Sequence, residues 1–439
     1  MRRKLFLWLL PAVAITGTLL VLSGNSGRDR AAGSSLLTYR HPLSEEGSID
    51  AEIAFLEERV KQRPKEGLDL SQLATAYIDM GRRTGDESWY DKAEDAARRS
   101  LANLSVSNPG AKISLAKVAS ARHDFAEAVR LSEDVMAVSP RALEAYSVRA
   151  TANLALGRLP WALLDADRVA DATPFMGALS LRGTILEAMG RDEEALEDWH
   201  AALRVEDVGQ VAPSSWVRAV IGRWHLRHGD LAAARAWVEE SRRLTPTQPI
   251  ATLALAEIES REGNVAEAER LCNAGFNVTK DPTFLARLGT VRQRAGNASG
   301  AAIAWGQAET LLRSENEKGR YGHRIELARV LLSRGGAERA KEALALSAEE
   351  VAKRRAAEIL GVHAWALVAN GDGSAARLVM REALASGARN AELYLRAADA
   401  EAAIGNKKRS RFYRDLAKDT DPTLPELSRE SVTAPAEQG

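Results

Sequence analysis

The chain has 439 residues, with 60 Lys and Arg against 60 Asp and Glu, 45% hydrophobic residues, 5% aromatics and one cysteine. A pI near 7.1 argues against the basic excess of nucleic-acid-binding domains. The lone Cys272 excludes an internal disulfide and any multi-cysteine zinc or iron-sulfur site.

Residues 1–24 open with Arg2, Arg3 and Lys4 and continue into an uncharged apolar stretch over 5–22. As a helix rising ~1.5 Å per residue, that stretch spans roughly 27 Å, slightly short of a ~30 Å hydrocarbon core. The segment therefore reads as a signal-anchor. A cleaved signal peptide is the alternative. The apolar stretch is long for an h-region and no Ala-x-Ala comes after it, but Pro11, Gly17, Ser23 and Gly24 suit an exit. On either reading the basic start stays cytoplasmic and the body is exported. The expected location is the cell envelope, with a single-pass inner-membrane anchor and the body on the periplasmic or extracellular side, or a secreted body after cleavage. Beyond residue 30 the chain holds 55 Lys and Arg against 59 Asp and Glu, which gives it no general attraction to anionic lipid or nucleic acid. Residues 25–47 are rich in Gly, Ser and Arg and read as a flexible linker. Residues 50–63 read as a short amphipathic helix with Ile53, Leu56 and Val60 on one face, packed on the first unit of the body.

From residue 68 onwards the sequence repeats. Gly-x-x-x-x-Ala recurs at Gly157/Ala162, Gly190/Ala195, Gly229/Ala234, Gly263/Ala268, Gly296/Ala301, Gly335/Ala340 and Gly371/Ala376, and Gly405/Ser410 changes only the alanine. The glycines are 33, 39, 34, 33, 39, 36 and 34 residues apart. Seven residues before each stands Gly or Ala: Ala150, Gly183, Gly222, Ala256, Gly289, Ala328, Ala364 and Ala398. Two irregular copies precede these, one built on Ala74, Gly81 and Ala93, the other on Ala116, His123 and Ala128. The pattern predicts helix-turn-helix units in which glycine ends the first helix in a left-handed turn. The small residues mark where two antiparallel helices approach closest. Pro140, Pro174, Pro246, Pro282 and Pro422 are expected to stop the second helices. The two intervals of 39 imply insertions near 206–215 and 315–321, and no run alternates for long enough to suggest a sheet.

This registration resembles the tetratricopeptide-repeat (TPR) family over residues 68–422. The resemblance implies an all-α fold, a right-handed superhelical solenoid of about ten helix-turn-helix repeats over 48–422; residues 423–439, with Pro425 and Pro435 among polar residues, read as a disordered tail. It implies stability set by nearest neighbours, since each unit of such an array contacts only the next. A signal-anchor before such an array is similar to envelope-associated members in bacteria. These act as assembly or scaffold proteins for secretion, polysaccharide export or cofactor maturation.

Motifs of phosphate-binding loops, zinc proteases, serine hydrolases and dinucleotide-binding strands are absent from the sequence. No catalytic residue, cofactor or metal site is assigned. His225 and His228 share a helix face, but without an acid at ligand spacing they read as an interface residue and a helix-end residue beside Gly229. In the family the first helix of each unit lines the inner groove. Here those positions include Glu187, Trp216, Arg223, Arg227, Glu257, Arg261, Arg294, Arg329, Trp365 and Asp399. Arg227, Arg261 and Arg294 lie two residues before successive turn glycines and should stack as a ladder. Residues 213–334 hold 18 Lys and Arg against 13 Asp and Glu, so a locally basic groove is expected. Its partner would be a protein or extended peptide, bound through an acidic segment or a free C-terminal carboxylate by bidentate guanidinium contacts. Two other readings stand beside this one. In the first, the cations simply favour the negative ends of their helices, with Glu257 or Glu262 neutralising the row. In the second, Trp216 and Trp365 are packing residues. The function expected is a membrane-tethered scaffold for protein-protein interaction, or alternatively a component of a polysaccharide assembly or export complex.

Overall fold

The computed structural model describes residues 36–41, 43, 49–106, 108–317 and 323–428. The signal-anchor expected over 1–24 lies outside them. Among the described residues there are 21 α-helices and no strand, and no helix is long and apolar enough to cross a membrane. A leading helix, Ile49–Gln62, buries Ile53, Leu56 and Val60, the face read from the sequence. Ten helix pairs come after it. Units 1 to 5 are Gly67–Thr84 with Ser88–Asn103, Pro109–Ala121 with Phe125–Val138, Leu143–Leu156 with Leu159–Ala172, Met176–Ala188 with Asp192–Arg204, and Val211–Arg227 with Leu231–Leu244. Units 6 to 10 are Pro249–Arg261 with Val265–Thr279, Pro282–Arg294 with Ala298–Glu317, Arg324–Arg334 with Ala337–Val351, Ala357–Ala369 with Gly373–Ala385, and Ala391–Ala403 with Lys407–Thr420. A short 3-10 turn, Pro425–Ser428, closes the described chain.

The turns are built as the repeat demands. All eight repeat glycines have positive φ. At each of them except Gly335 the next residue's N–H bonds a carbonyl five residues back, as Asp230 does to His225 (3.0 Å) and Asn264 to Glu259 (2.8 Å). This closes the first helix in a Schellman motif. At several units the residue after the glycine caps the second helix, the Asp230 carboxylate accepting from Ala233 N–H and Asp372 from Ala375 N–H. His123 takes the glycine's place in unit 2 with φ 62°. In unit 1 the left-handed residue is Gly85, φ 71°, whereas Gly81 is helical and packs against Trp89 and Tyr90. Pro282 begins the first helix of unit 7 instead of ending the helix before it, its fixed φ and missing N–H suiting the first helical position.

Successive first helices touch one another at every joint except that of units 7 and 8, and successive second helices make no comparable contact, so the array curves with the first helices inside. It curves tightly enough to meet itself. The turn of unit 3 lies against residues 355–356, between units 8 and 9, where Arg355 N–H donates to the Leu156 carbonyl (3.1 Å). The turn of unit 4 meets Gly387, between units 9 and 10, and the turn of unit 5 meets Pro422, just past unit 10. At unit 2 the Arg354 guanidinium lies 5.7 Å from the Phe125 ring centre. The solenoid therefore completes one turn in about six units and seals along a seam, so its units do not contact nearest neighbours alone.

The described parts of both flanks pack on the solenoid. Within the expected linker, residues 36–41 dock where the 206–210 insertion separates units 4 and 5. Leu36 joins the core there with Leu203, Val217 and Ile221. Residues 423–428 of the expected tail fold back into the ring, with Leu424 buried among Ala391, Leu395 and Ala417.

Candidate functional site

The inner wall gathers most of the sequence-assigned residues, but as two charge centres instead of one ladder. In the lower centre, Glu257 of unit 6 is 4% exposed and accepts from Arg261 (2.8 Å), Arg287 (2.6 Å) and Arg294 (2.9 Å). Burial opposes its ionisation, but Arg287, Arg294 and Arg261 outweigh it and hold the carboxyl at about 2. One carboxylate against three guanidiniums leaves two positive charges, and these are met by the chain's own C-terminal segment. Arg261 donates to Asp421 (2.8 Å) and Thr423 Oγ1 (2.9 Å), and Arg294 donates to Glu426 through Nη2 (2.8 Å) and Nε (3.2 Å).

The upper centre spans the seam. Arg223 (3.1 Å) and Arg227 (3.2 Å) of unit 5 share Glu187 of unit 4, and Arg227 also reaches Glu358 of unit 9 (3.0 Å). Glu358 keeps 62% of its side chain accessible. Arg227, followed by burial, Arg329 and Arg223, governs its carboxyl, and the net effect is to lower its pKa. Arg223 Nε is buried without a partner. Arg329 is exposed on unit 8 and acts electrostatically on both Glu358 and Arg396.

The two tryptophans separate. Trp365 is half-buried with the Arg396 guanidinium 3.8 Å from its ring centre, which puts it beside the upper centre. Trp216 packs against the core shared by units 4 and 5 and is a packing residue. His225 and His228 face Asp230 and Asp192 respectively at 3.8 Å, and among the described residues no cluster of His, Cys, Asp and Glu is arranged to hold a metal.

Sequence reasoning reached Glu257 as a neutralising group but not Arg287, Glu358, Arg396, Asp421 or Glu426. Arg287 lies seven residues before Arg294 on the same helix of unit 7, a signal the register contained. Glu358 and the two C-terminal acids arrive by superhelical closure, which has no local signature. A further polar site at the unit 4 to unit 5 joint was also missed. There Arg218 and Glu206 form a fully buried ion pair (3.0 Å). Arg218 also donates to the carbonyls of Leu37 (2.7 Å) and Leu36 (3.1 Å), while Tyr39 N–H donates to Glu240 (2.7 Å).

No family model matches the chain, and no curated protein matches it. Among solved structures, the crystal structure of a tetratricopeptide repeat protein from Parabacteroides merdae ATCC 43184 is similar over 54% of this chain and 93% of that one, with 16% identity and a TM-score of 0.39. The repeat geometry is itself decisive: ten consecutive antiparallel helix pairs, each crossing at buried small residues. The chain is an all-α solenoid of helix-turn-helix repeats. In this solenoid the alanines after the turns, from Ala162 to Ala376, are all buried. Where the facing position is glycine, an aromatic or branched side chain fills the space. A Cβ on Gly183 would lie 2.8 Å from Trp199, one on Gly222 2.5 Å from Val238, and one on Gly289 2.4 Å from Trp305.

Proposed function

We propose that the protein is a membrane-tethered scaffold of the cell envelope that holds a protein partner, through an acidic extended segment, on the inner wall of its solenoid. One observation carries this reading: Arg261 and Arg294 already hold such a segment in cis, so the wall has the charge, donors and shape to accept one. The tether rests on the apolar stretch over 5–22 behind its basic start. The test is affinity capture from envelope extracts with the full-length chain and with the triple variant Arg227→Glu, Arg261→Glu, Arg294→Glu. A partner held by the wild type and lost from the variant is the expected result. A partner retained equally by both removes the inner wall from the function. Intact-mass analysis of the membrane and soluble envelope fractions tests the tether, which predicts a membrane-retained species that still carries residues 1–24. A species beginning near Gly24 in the soluble fraction would contradict it.

A further inference from the structure

The segment over 421–426 reads Asp-Pro-Thr-Leu-Pro-Glu, and its contacts with units 6 and 7 are of an unusual kind. The contacts with Arg261 and Arg294 are made by side chains: Asp421 and Thr423 on Arg261, Glu426 on Arg294. A site read through side chains alone does not require that its occupant be continuous with the last helix. Two prolines restrict the segment before it docks, which lowers the entropy lost on ordering it. The charges also balance only when it is present. Arg261, Arg287 and Arg294 surround one buried Glu257, and Asp421 and Glu426 supply the two negative charges that the centre otherwise lacks. The resident fit is incomplete, since the Glu426 Oε2 atom is buried with no hydrogen-bond partner. A carboxylate oxygen in that state has given up water without replacing it, and an occupant that satisfied it would hold better.

We infer that the inner wall of units 6 and 7 is a receptor for an extended peptide bearing two carboxylates spaced as in Asp421 and Glu426, and that residues 421–426 are its resident, competing occupant. This rests on the inner-wall reading of the function and adds a control to it. The same segment joins the ring, because Pro422 lies against Gly229 and Leu424 is buried on unit 10. A partner that takes the site therefore releases residues 421–426 from units 5 to 7, and docking of this segment and partner binding exclude each other.

The test uses the full chain and a fluorescein-labelled peptide of residues 417–428, read by fluorescence anisotropy. The double variant Asp421→Asn, Glu426→Gln weakens the resident while keeping its shape, and it should bind the labelled peptide at least tenfold more tightly than the wild type does. A peptide carrying the same Asn and Gln replacements should not bind, and adding Arg261→Glu and Arg294→Glu to the double variant should abolish binding. A double variant of wild-type helicity that binds no better than the wild type, or that binds both peptides alike, overturns the receptor and leaves the segment a structural staple. Should the double variant not fold, hydrogen exchange on the wild type at millimolar peptide decides, since a tethered occupant competes at an effective concentration of that order. Exchange at residues 421–428 should rise severalfold, and unchanged exchange overturns the proposal. Such a failure leaves the scaffold reading intact, because envelope capture with the single variant Arg227→Glu beside the double variant Arg261→Glu, Arg294→Glu can still return a partner that depends on Arg227 alone.

Discussion

Replacing Gly190 by alanine asks whether the two superhelical turns are joined. Gly190 has φ 68°, and a Cβ built on it would lie 1.8 Å from the carbonyl oxygen of Gly387 and 2.8 Å from its carbon. Gly263 plays the same turn role two units later with φ 86°, but a Cβ there meets nothing within 4 Å. Each substitution forces an L-residue into the left-handed region at a cost of about 1–2 kcal/mol. Only Gly190→Ala also drives two backbones apart, since 1.8 Å lies far inside the 3.0 Å below which Cβ contacts essentially never occur. Overpacking a rigid contact adds about 1–3 kcal/mol. The seam therefore predicts a loss of about 2–5 kcal/mol for Gly190→Ala and about 1–2 kcal/mol for Gly263→Ala. Urea denaturation followed by circular dichroism measures both, and small-angle scattering should show a larger radius of gyration for Gly190→Ala alone. Equal stabilities and equal radii would refute the closed ring.

Arg218→Met should cost about 3–5 kcal/mol by leaving Glu206 buried beside an apolar neighbour, and trypsin should then cleave after Arg40 faster than in the wild type. An unchanged cleavage rate would show that residues 36–41 are held without Arg218. Acid should destabilise the fold in two windows. Burial, reinforced by Arg354 and His323, holds the His123 imidazole down at about 4 against an ordinary 6.5, so the unfolded chain takes that proton first and stability falls as pH drops from 6.5 to 4. Glu257, at about 2 against 4.5, contributes about 3 kcal/mol above pH 4.5 that is lost as pH falls towards 2. Denaturation midpoints at pH 7.5, 5 and 3 check both signs, and Glu257→Gln should flatten the lower window. Burial pushes the Cys272 thiol up to about 12, so iodoacetamide at pH 8 should label it only after denaturation. Rapid labelling of the native chain would contradict its place in the core.

The helix pairs were legible because each rests on a local constraint. A glycine at positive φ and a small residue seven positions earlier are demanded by one turn and one helix crossing, and the sequence supplies them at every regular unit. The compensation between Gly289 and Trp305, or Gly183 and Trp199, was also present in the sequence, since a glycine opposite an Ala-x-x-x-Trp leaves space that only a large side chain fills. What escaped depends on sums over many units. Small rotations between neighbours accumulate into a turn of about six units, and no single residue encodes the total. Glu358 is therefore brought to Arg227 by unit-to-unit geometry, not by register. Pro422 and Pro425 carried two meanings at once. Pro422 follows the end of the last helix and Pro425 opens a 3-10 turn, and the stiffness of both also presents Asp421 and Glu426 to the wall. The arginine row was visible and its partial neutralisation by Glu257 was foreseeable, whereas the remaining two charges are balanced by Asp421 at the end of the expected solenoid and by Glu426 in a stretch that composition assigns to a tail.

Closure changes how such an array distributes its stability. In an open solenoid, damage to one unit is felt by two neighbours. Here the contacts Arg227–Glu358, Arg389–Asp192, Arg261–Asp421 and Arg294–Glu426, together with the Arg355 to Leu156 backbone bond, join units four or more repeats apart. Opening the ring would break them together, so the seam makes distant units cooperative. They do not all respond alike to solvent. Arg227–Glu358 and Arg389–Asp192 each keep one well-exposed partner and weaken as salt screens them. Arg261 and Asp421 are 7% and 3% exposed, and a pair so enclosed is screened little while its loss strands a buried charge. Salt therefore loosens the periphery of the seam and leaves the C-terminal segment in place. What removes that segment is a competitor matching its two carboxylates, so the inner wall of units 6 and 7 would yield to a specific partner and stay covered through general changes in ionic strength.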